Sequence, residues 1–592
     1  MLQRWFVLLL LLTVTTVTSQ AQRGYDFTNY EQTLESIATI GIDIARFDAA
    51  TAGYFEAIGE HGDPLYIAPL IDVLYFAFGE PSIEVELYGA LEQLTGQPPL
   101  RGWRGYLEWA SENDIALPPG YDAFKGRFFG SLIDSRFPAF FENVQETANV
   151  NLVEAVWGGV QVDGIPSLVN ARQISPEEAL IEGATLTQFC SEDDCSYPQT
   201  DEFVFGVYVD GDARAYPLRL MNWHEMFNDV IGHTPLYDAP DGNPICNFRA
   251  PTVFDALARS GDAFVQINGL SAGCETEGWL AVDALEWLDS DWNTVREQLP
   301  DVENGEIALT PQNSLQGRVS GRPVMLAYCT LCGAGILYDV TIPDLSYTDT
   351  AGTQVDLGET VLEFGSTGML MRSNKLMYDR TTNTVWNAFT GIPAFGVLAS
   401  TDIELPLLPA VVTTWSDWLE DHPDTSVLSL ETGFRRNYTN GGAYTNYFNT
   451  SDLMFPSFQQ DTENVENKEM IFGLNFDDTP RAYPLFELFE QPVINDTLDD
   501  VNLVIISEAS PTRNFFEPGG AAVRAYQRND LIFSQTEIDN EVLDSDGVIW
   551  QITEDALVSA DGRILERIAG HLAFWFGWYG FYPETDLYMT TN

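Results

Sequence analysis

The sequence contains a long internal repeat, which constrains the fold more than any other feature. The segment Phe205–Leu218 recurs as Phe472–Leu485, and the two copies stay in register without a gap as far as Asn228-Asp229 and Asn495-Asp496. The surrounding sequence is rich in short apolar runs of the kind that form β-strands. We therefore expect an α+β fold with two related, β-rich repeat units that pack together.

The two copies differ at residues that are able to do chemistry. The first copy carries His224, where the second has Gln491. The first also carries Cys329 and Cys332, whereas the comparable stretch of the second, Val504–Glu508, has no cysteine. Three potential ligands are thus absent together from one copy, which favours a single site in the other. We interpret the second copy as degenerate.

The charge balance argues against nucleic acid as a partner. The chain has 88 acidic and 28 basic residues, a net charge of −60 at pH 7, and such a surface repels phosphate backbones. Lysine occurs only at Lys125, Lys375 and Lys468. This composition is typical of a soluble protein outside the cytoplasm, and it attracts cations weakly.

The N-terminus has the pattern of a secretory signal peptide over residues 1–21. Arg4 supplies positive charge, Trp5–Val17 is apolar, and Ser19-Gln20-Ala21 resembles a cleavage site. The apolar run is short for a membrane span, and no later stretch qualifies, so we expect no stable transmembrane insertion. We predict a cleaved signal peptide and a secreted or periplasmic (extracytoplasmic) protein, with an uncleaved anchor as the alternative.

The rest of the chain divides into three parts. Residues 22–150 show apolar recurrence at helical spacing and predict a helical, HEAT-like N-terminal domain. Residues 160–435 form the first repeat unit, with an insertion rich in Asp and Gly at 237–321, and residues 436–592 form the second.

Two local patterns concern the first repeat unit. Phe203–Val209 and Ala213–Tyr216 flank Asp210-Gly211, which predicts a β-hairpin with a tight turn. Residues 218–231 are expected to form a short helix with His224 in its apolar stripe.

Six cysteines are present, and their connectivity cannot be read from the sequence alone. Local spacing favours the disulfides Cys190–Cys195 and Cys246–Cys274, because cysteines usually pair in an oxidising compartment. Those four cysteines are expected to staple loops. The remaining two, Cys329 and Cys332, need a separate explanation.

Cys329-x-x-Cys332 follows an apolar β run and admits three interpretations. The thiols can hold one soft metal ion, form a redox-active disulfide, or form a structural disulfide. A zinc ribbon would need a second Cys-x-x-Cys, which the chain lacks. A thioredoxin motif would open a helix, whereas Ile336–Tyr338 predicts a strand.

His224 and Met377 are the candidates to complete a metal site. A lone histidine in an apolar stripe is more often a core residue, but His224 is lost from the second copy together with the cysteines. Thiolate, thioether and imidazole ligands together select copper over zinc. Met369 and Met371, which lie close to Met377 in sequence, are interpreted as core residues.

An ordered set of motifs carries a resemblance to a known family. These motifs are Arg214-Ala215-Tyr216-Pro217, Asn222-Trp223-His224-Glu225, Asn228-Asp229, Tyr328-Cys329-x-x-Cys332-Gly333, Phe364-Gly365 with Gly368, Met377-Tyr378-Asp379-Arg380 and Trp386. Together they resemble DUF3179, a family of prokaryotic, often exported proteins without an established activity. Thr330 stands where that family usually has proline, which leaves both thiols intact. The resemblance sharpens the site and leaves the reaction open.

Three functions are compatible with the sequence. The first is an exported metal-binding or redox protein in which Cys329, Cys332 and His224, with Met377, hold copper or zinc and serve a small-molecule or protein redox partner. The second is a thiol–disulfide oxidoreductase in which Cys329 attacks, Cys332 resolves and His224 assists thiolate formation. The third is a non-enzymatic scaffold with a structural Cys329–Cys332 disulfide, whose acidic faces bind partner proteins.

Overall fold

Helices and strands both contribute to the fold, which agrees with the predicted α+β class. The structure, a computed structural model, describes residues 25–47, 51, 53–184, 196–268, 274, 278–288, 291–302, 315–439, 443–455, 463–476, 478–508 and 522–590. The predicted signal peptide and the predicted Cys190–Cys195 pair lie outside these described residues. The chain divides into two compact units, Met1–Gln145 and Glu146–Asn592. Every helix within the described ranges is too short or too polar to cross a bilayer.

The first unit is helical, as its sequence predicts. Its α-helices span Tyr30–Ala45, Tyr54–His61, Ile67–Phe76, Pro81–Thr95, Gly102–Glu112, Tyr121–Leu132 and Phe137–Phe140. Asn29 caps the first of these helices by accepting a hydrogen bond from the Gln32 N–H. Gly96 ends the fourth helix with a φ of 67°, a conformation that glycine adopts easily. The HEAT-like arrangement stays a prediction.

The second unit contains the predicted hairpin. Strands Phe203–Val209 and Asp212–Pro217 pair in an antiparallel ladder, and their turn residues Asp210 and Gly211 have φ values of 50° and 85°. Both φ values are positive, as a tight hairpin turn requires. The hairpin lies in a five-stranded sheet with Val411–Thr414, Ser426–Leu428 and Gln173–Ile174.

Two further five-stranded sheets complete the core of residues 160–435. One contains, in sheet order, Leu168–Val169, Met226–Ile231, Arg322–Cys329, Ala334–Asp339 and Leu407–Leu408. The other contains Val156–Trp157, Phe364–Met371, Asn374–Asp379, Val385–Asn387 and Pro393–Phe395. Helices Pro176–Gly183 and Trp415–Asp421 and the two-stranded hairpin Thr341–Thr348 with Gln354–Val361 accompany them.

The predicted insertion builds most of a seven-stranded sheet of its own. In sheet order its strands are Leu285–Trp287, Leu315–Val319, Val253–Ser260, Phe264–Asn268, Gly278–Ala281, His233–Tyr237 and Pro244–Arg249. Helix Trp292–Gln298 lies in the same stretch of chain. Cys246 and Cys274 form a disulfide here, which confirms that predicted pair.

The described part of residues 436–592 forms two sheets. A four-stranded sheet contains His571–Phe574, Met470–Phe476, Thr479–Pro484 and Asp586–Leu587. An eight-stranded sheet contains Val493–Leu498, Val501–Glu508, Ala522–Gln527, Ile564–Ile568, Ala556–Ser559, Ile549–Ile552, Glu541–Asp544 and Phe533–Gln535. The helices are Thr445–Phe448, Leu485–Glu490 and Trp575–Tyr579.

Residues 160–435 and 436–592, called the first and second segments below, share a set of hydrogen bonds, which are buried in the first segment and mostly part-buried in the second. An indole N–H donates to a threonine hydroxyl in Trp418–Thr425 (2.9 Å) and Trp578–Thr585 (2.8 Å), and to a carboxylate in Trp386–Asp379 and Trp550–Asp544 (2.9 Å each). A tyrosine hydroxyl donates to a carboxylate at 2.7 Å in Tyr216–Asp229 and Tyr483–Asp496. An asparagine amide bonds a phenylalanine carbonyl at 2.9 Å in Asn228–Phe364 and 2.8 Å in Asn495–Phe533.

The predicted helix over residues 218–231 is wrong in most of its length. A helix covers Leu218–Met221 only, and Met226–Ile231 is a strand between Arg322–Cys329 and Leu168–Val169. The apolar spacing does not distinguish a helix from a strand here, because residues four apart, such as Phe227 and Ile231, lie on one face of either element. Sheet pairing with distant strands decides between the two, and the sequence pattern does not show that pairing.

Candidate functional site

The two remaining cysteines lie in a tight β-hairpin, called the cysteine hairpin below. Strand Arg322–Cys329 ends at Cys329, which pairs with Ala334 at the start of the return strand, and residues 330–333 form the turn. Gly333 completes the turn with a φ of 60°. Both cysteines are unbridged and buried, with 5% of Cys329 and 0% of Cys332 exposed. The expected strand after the motif is confirmed, so the motif does not open a helix.

Hydrogen-bond donors surround the two sulfurs. The Asn374 side-chain amide donates to Cys332 Sγ at 3.2 Å. Backbone N–H groups of the turn add to this, from Cys332 to the Cys329 sulfur and from Ala334 to the Cys332 sulfur. The thiols themselves reach backbone carbonyls, Cys329 that of Ser373 and Cys332 that of Cys329, each at 3.8 Å. Donors of this kind stabilise sulfur in the thiolate form.

The two thiols differ strongly in acidity. Burial and the Glu225 carboxylate act to raise the pKa of Cys329, whereas hydrogen bonds from the Cys332 thiol and backbone N–H and the positive charge of Lys375 act to lower it. The result is a Cys329 pKa below its ordinary value. Burial, followed by the interactions with Cys329, raises the pKa of Cys332 well above its ordinary value. The pair is therefore polarised, with Cys329 the more acidic of the two thiols.

A buried ion pair stands beside the cysteine hairpin. Lys375 Nζ lies 3.0 Å from Glu225 Oε2 and donates to the Glu225 carbonyl at 2.9 Å. The Lys375 side chain is 3% exposed and that of Glu225 13%. Neither Lys375 nor Glu225 is among the candidate site residues that the sequence indicates. The only early signal was the rarity of lysine in this chain.

The second segment packs directly on the cysteine hairpin. The Phe574 N–H donates to the Cys332 carbonyl at 2.8 Å, and the Tyr447 hydroxyl donates to the Leu331 carbonyl at 2.6 Å. Gly577 faces Cys332 so closely that an added Cβ would lie 2.6 Å from the Cys332 Cβ. The second segment thus forms one wall around the cysteine hairpin.

His224 is placed in a different environment from the two thiols. Its Nδ1 lies 3.0 Å from the Pro166 carbonyl and its Nε2 lies 2.6 Å from the Tyr438 hydroxyl. Because a carbonyl only accepts, Nδ1 carries the proton and Nε2 accepts from Tyr438. Burial lowers the pKa of His224 to about 4, so the ring is neutral near pH 7. His224 therefore has the contacts of a core histidine.

Met377 belongs to the same large apolar cluster as the two cysteines. Its side chain is fully buried in the apolar cluster that also contains Cys329 and Cys332. Met369 and Met371 are also buried. Across the described ranges, no three or more His, Cys, Asp or Glu side chains are arranged to hold a metal ion. The structure thus groups Met377 with the thiols but does not join His224 to them in a metal-holding set.

Comparison with known proteins identifies a family and no characterised relative. The family model described as "Protein of unknown function (DUF3179)" matches residues 162–237 and 313–585, more than half of the chain. The unmatched stretch between these ranges overlaps the predicted insertion. No curated protein and no solved structure matches the sequence.

Proposed function

The chain belongs to the DUF3179 family, and we propose that this member is a thiol-based redox protein with Cys329 and Cys332 as its reactive pair. The polarisation of the pair carries the proposal. Cys329 has a lowered pKa and retains slight exposure, whereas Cys332 has a raised pKa and none. A reactive dithiol needs this difference, because one sulfur must attack as thiolate while the other stays protonated in reserve.

The chemistry is a two-electron thiol–disulfide exchange. The Cys329 thiolate attacks one sulfur of a disulfide in the partner molecule, the partner's S–S bond breaks, and its second sulfur leaves as a thiolate. Cys332 then loses its proton and attacks Cys329 Sγ in the mixed disulfide. The partner departs fully reduced, and the protein is left with a Cys329–Cys332 disulfide. The same steps in reverse regenerate the dithiol.

We also propose that the two segments are related copies, of which only the first kept the reactive site. The matching Trp–Thr, Trp–Asp, Tyr–Asp and Asn–Phe contacts support this. By sheet register, Glu508 stands where the first segment has Cys329. Val542 likewise stands at the position of Met377, because each lies two residues before an aspartate that pairs with a phenylalanine. The common contacts are structural, and the differences fall on the site.

A trapping experiment tests the redox proposal. C332S removes the resolving thiol, so a disulfide-containing probe such as oxidised glutathione should accumulate as a mixed disulfide on Cys329, detected by mass spectrometry. C329S should give little or no adduct, because Cys332 is protonated and buried. Cys246 and Cys274 stay bridged in both variants and serve as an internal reference. Equal labelling of both variants, or of neither, would contradict the proposed roles.

Copper(I) binding is a second candidate function, favoured by the position of Met377. Two thiolates and a thioether share one buried cluster, and soft sulfur ligands select Cu(I). His224 is left out of this set because both of its ring nitrogens already bond protein atoms. Elemental analysis after reconstitution with Cu(I) under reducing conditions should show stoichiometric copper in wild type, weaker retention in M377L and none in C329S/C332S. Equal copper in all three proteins would exclude this site.

Export is proposed on the signal-peptide pattern of residues 1–21. Expression with the native N-terminus in a secreting host should release a protein that begins near Gln22. N-terminal sequencing of the extracytoplasmic fraction checks this. Retention of Met1 on a membrane-associated product would favour the uncleaved anchor.

A further inference from the structure

We propose that Asn374 is a positioning residue that favours the dithiol form of the Cys329–Cys332 pair, and that a strained turn holds it against the sulfurs. The inference deepens the proposed redox function and rests on it for its biological meaning. The effect of Asn374 on the equilibrium between dithiol and disulfide is measurable whatever the potential of the pair.

Two consecutive residues of one turn contact the two sulfurs. The Asn374 Nδ2 donates to Cys332 Sγ at 3.2 Å. The preceding residue, Ser373, accepts from the Cys329 thiol through its carbonyl at 3.8 Å. The Cys332 thiol donates to the Cys329 carbonyl, so lone pairs of the Cys332 sulfur remain to accept from the Asn374 amide. With 1% of Asn374 exposed, bulk water does not replace this bond.

The surroundings of Asn374 satisfy only half of its side chain. Its Oδ1 is buried and has no hydrogen-bond partner among the residues that the structure describes. Buried amides in a protein core are normally bonded at both atoms, because an unpaired polar atom costs free energy. Packing alone therefore gives no reason for an asparagine at this position, whereas donation to a sulfur does.

The turn that presents Asn374 has an unfavourable backbone conformation. Met371 pairs with Asn374 across Arg372 and Ser373, which makes a two-residue hairpin turn. Arg372 and Ser373 have φ values of 50° and 62°. Turns with two positive φ values favour asparagine and glycine, because other side chains crowd the backbone there. The chain thus carries local strain at the point that contacts the sulfurs.

Contacts from outside the hairpin hold this turn in place. The Arg372 guanidinium lies 2.7 Å from a carboxylate oxygen of Glu154 and donates to the Gly580 carbonyl at 2.9 Å. The Ser373 hydroxyl donates to the Phe455 carbonyl at 2.8 Å. Gly580 and Phe455 belong to the second segment, which also packs on the cysteine hairpin. We infer that these contacts offset the strain of the turn.

The hairpin that carries the turn is longer in the first segment than in the second. The hairpins Phe364–Asp379 and Phe533–Asp544 each begin and end with a phenylalanine paired with an aspartate. The first hairpin is four residues longer. In the second, all of whose residues the structure describes, pairing stops at Gln535 with Val542, so no residue takes the place of Asn374 beside a strand partner. The extension that reaches the sulfurs therefore accompanies the cysteines.

The direction of the effect follows from how well each form of sulfur accepts a hydrogen bond. Oxidation by glutathione disulfide removes two protons and two electrons from the dithiol, joins the two Sγ atoms and releases two molecules of reduced glutathione. Negative charge on sulfur is greatest in the thiolate and is lost in the disulfide. A donor directed at the Cys332 sulfur therefore stabilises the reduced pair more than the oxidised one.

Equilibration with glutathione tests this inference. The full-length protein is mixed with reduced and oxidised glutathione at graded ratios, and the dithiol fraction is measured by alkylation and mass spectrometry. N374L keeps the size of the side chain but removes its donor. It should raise the equilibrium constant for disulfide formation about threefold to tenfold, which is a potential about 15–30 mV more negative. Because N374L also removes the unpaired Oδ1, the melting temperature should change little.

S373V tests the part that the turn plays. A β-branched residue is disfavoured at positive φ, so S373V should withdraw the Asn374 amide and raise the same equilibrium constant by a smaller factor. In the N374L background S373V should add no further shift, because the donor is already gone. Additive shifts in the double variant would contradict positioning through Asn374.

N495L is the matched control for loss of a buried amide. It removes the bond from Asn495 to the Phe533 carbonyl in the second segment, and it should lower the melting temperature without changing the equilibrium constant. An unchanged or lowered equilibrium constant in N374L, with a working C332S trap, would overturn this inference alone. If N374L does not fold, N374A decides by the same criterion. Failure of the C332S trap with the N374L shift intact would instead reject the redox function alone.

Discussion

Strand Arg322–Cys329 of the first segment ends in a cysteine, and strand Val501–Glu508 of the second ends in a glutamate at the same register position. Around these two ends the buried frame is nearly the same, with the same tryptophan, tyrosine and asparagine contacts at distances that agree within 0.1 Å. The difference lies in the side chains that face the sulfurs. The two segments thus share these hydrogen bonds although the side chains at the ends of the two strands differ.

The second segment still contributes to the site by covering it. Phe574 and Tyr447 bond carbonyls of the cysteine hairpin, and Gly577 leaves room for Cys332. Contact with the second segment therefore helps to explain why the thiols have 5% and 0% exposure. We infer that the second segment supports the first as a wall of its reactive site.

The largest expected effect tests the shared frame. Trp418 packs on Gly206 and Trp578 on Gly473, and both indoles are almost fully buried. Because each replacement leaves a large cavity, W418A and W578A should each reduce the free energy of unfolding by about 3–5 kcal/mol. Denaturant unfolding measures both.

The two tryptophan variants should differ in their effect on the thiols. Trp578 belongs to the apolar cluster that contains Cys329 and Cys332, whereas Trp418 belongs to a separate apolar cluster. W578A should therefore speed alkylation of Cys329 more than W418A does. Faster alkylation in W418A than in W578A would break the assignment of the second segment as the wall of the site.

A smaller effect tests whether His224 belongs to the frame or to the site. The pKa of His224 is depressed to about 4 from an ordinary 6.5, so protonation opposes folding. The contribution of the neutral His224 ring to the free energy of unfolding is fully present above pH 6.5. It is lost as the pH falls toward 4, which lowers the free energy of unfolding by about 2–3 kcal/mol. H224Q, which copies Gln491 of the second segment, should lack that part of the acid sensitivity.

Urea unfolding of wild type and H224Q at pH 8 and pH 4.5 checks this pH dependence. The free energy of unfolding of wild type relative to that of H224Q should be higher at pH 8 than at pH 4.5. The C332S trap should work equally well in the H224Q background. If the mixed disulfide no longer accumulates in the H224Q background, while the pH dependence of unfolding is unchanged, His224 takes part in the cysteine chemistry and is not only a core residue.

The smallest effect concerns the tyrosine–aspartate contacts. Y216F removes a hydrogen bond to a buried carboxylate in the first segment, and Y483F removes one to a part-buried carboxylate in the second. Each should cost about 1.5 kcal/mol of unfolding free energy, because the acceptor is charged. Values for the two segments that differ several-fold, measured by chemical denaturation, would show that the frames are less alike than their distances indicate.

The sequence predicted those features that depend on local pattern. The hairpin at Asp210-Gly211, the helical first unit and the Cys246–Cys274 disulfide follow from turn residues, apolar spacing and proximity in sequence. Cys329 and Cys332 were visible as a motif. The strand Met226–Ile231 was missed because its partners are distant in the chain.

The electrostatics of the site could not be read in the same way. Glu225 and Lys375 are 150 positions apart, so nothing local signals that they meet. A charged residue in a sequence also looks the same whether it is solvated or buried, and only burial makes this pair important. The loss of His224 from the second segment suggested a ligand, and the structure shows its ring nitrogens bonded to a carbonyl and a hydroxyl, so its part in a site stays a prediction.

The central claim, that Cys329 and Cys332 form a reactive couple rather than a staple, is tested most directly by its reduction potential. The full-length protein is equilibrated in thiol–disulfide buffers of graded potential, alkylated and analysed by mass spectrometry, with Cys246–Cys274 as the internal structural reference. We expect the Cys329–Cys332 couple to be reduced at mild potential, above the value of about −300 mV below which structural disulfides typically lie. A couple that stays oxidised to that potential, together with Cys246–Cys274, would contradict the account and identify the motif as a structural crosslink.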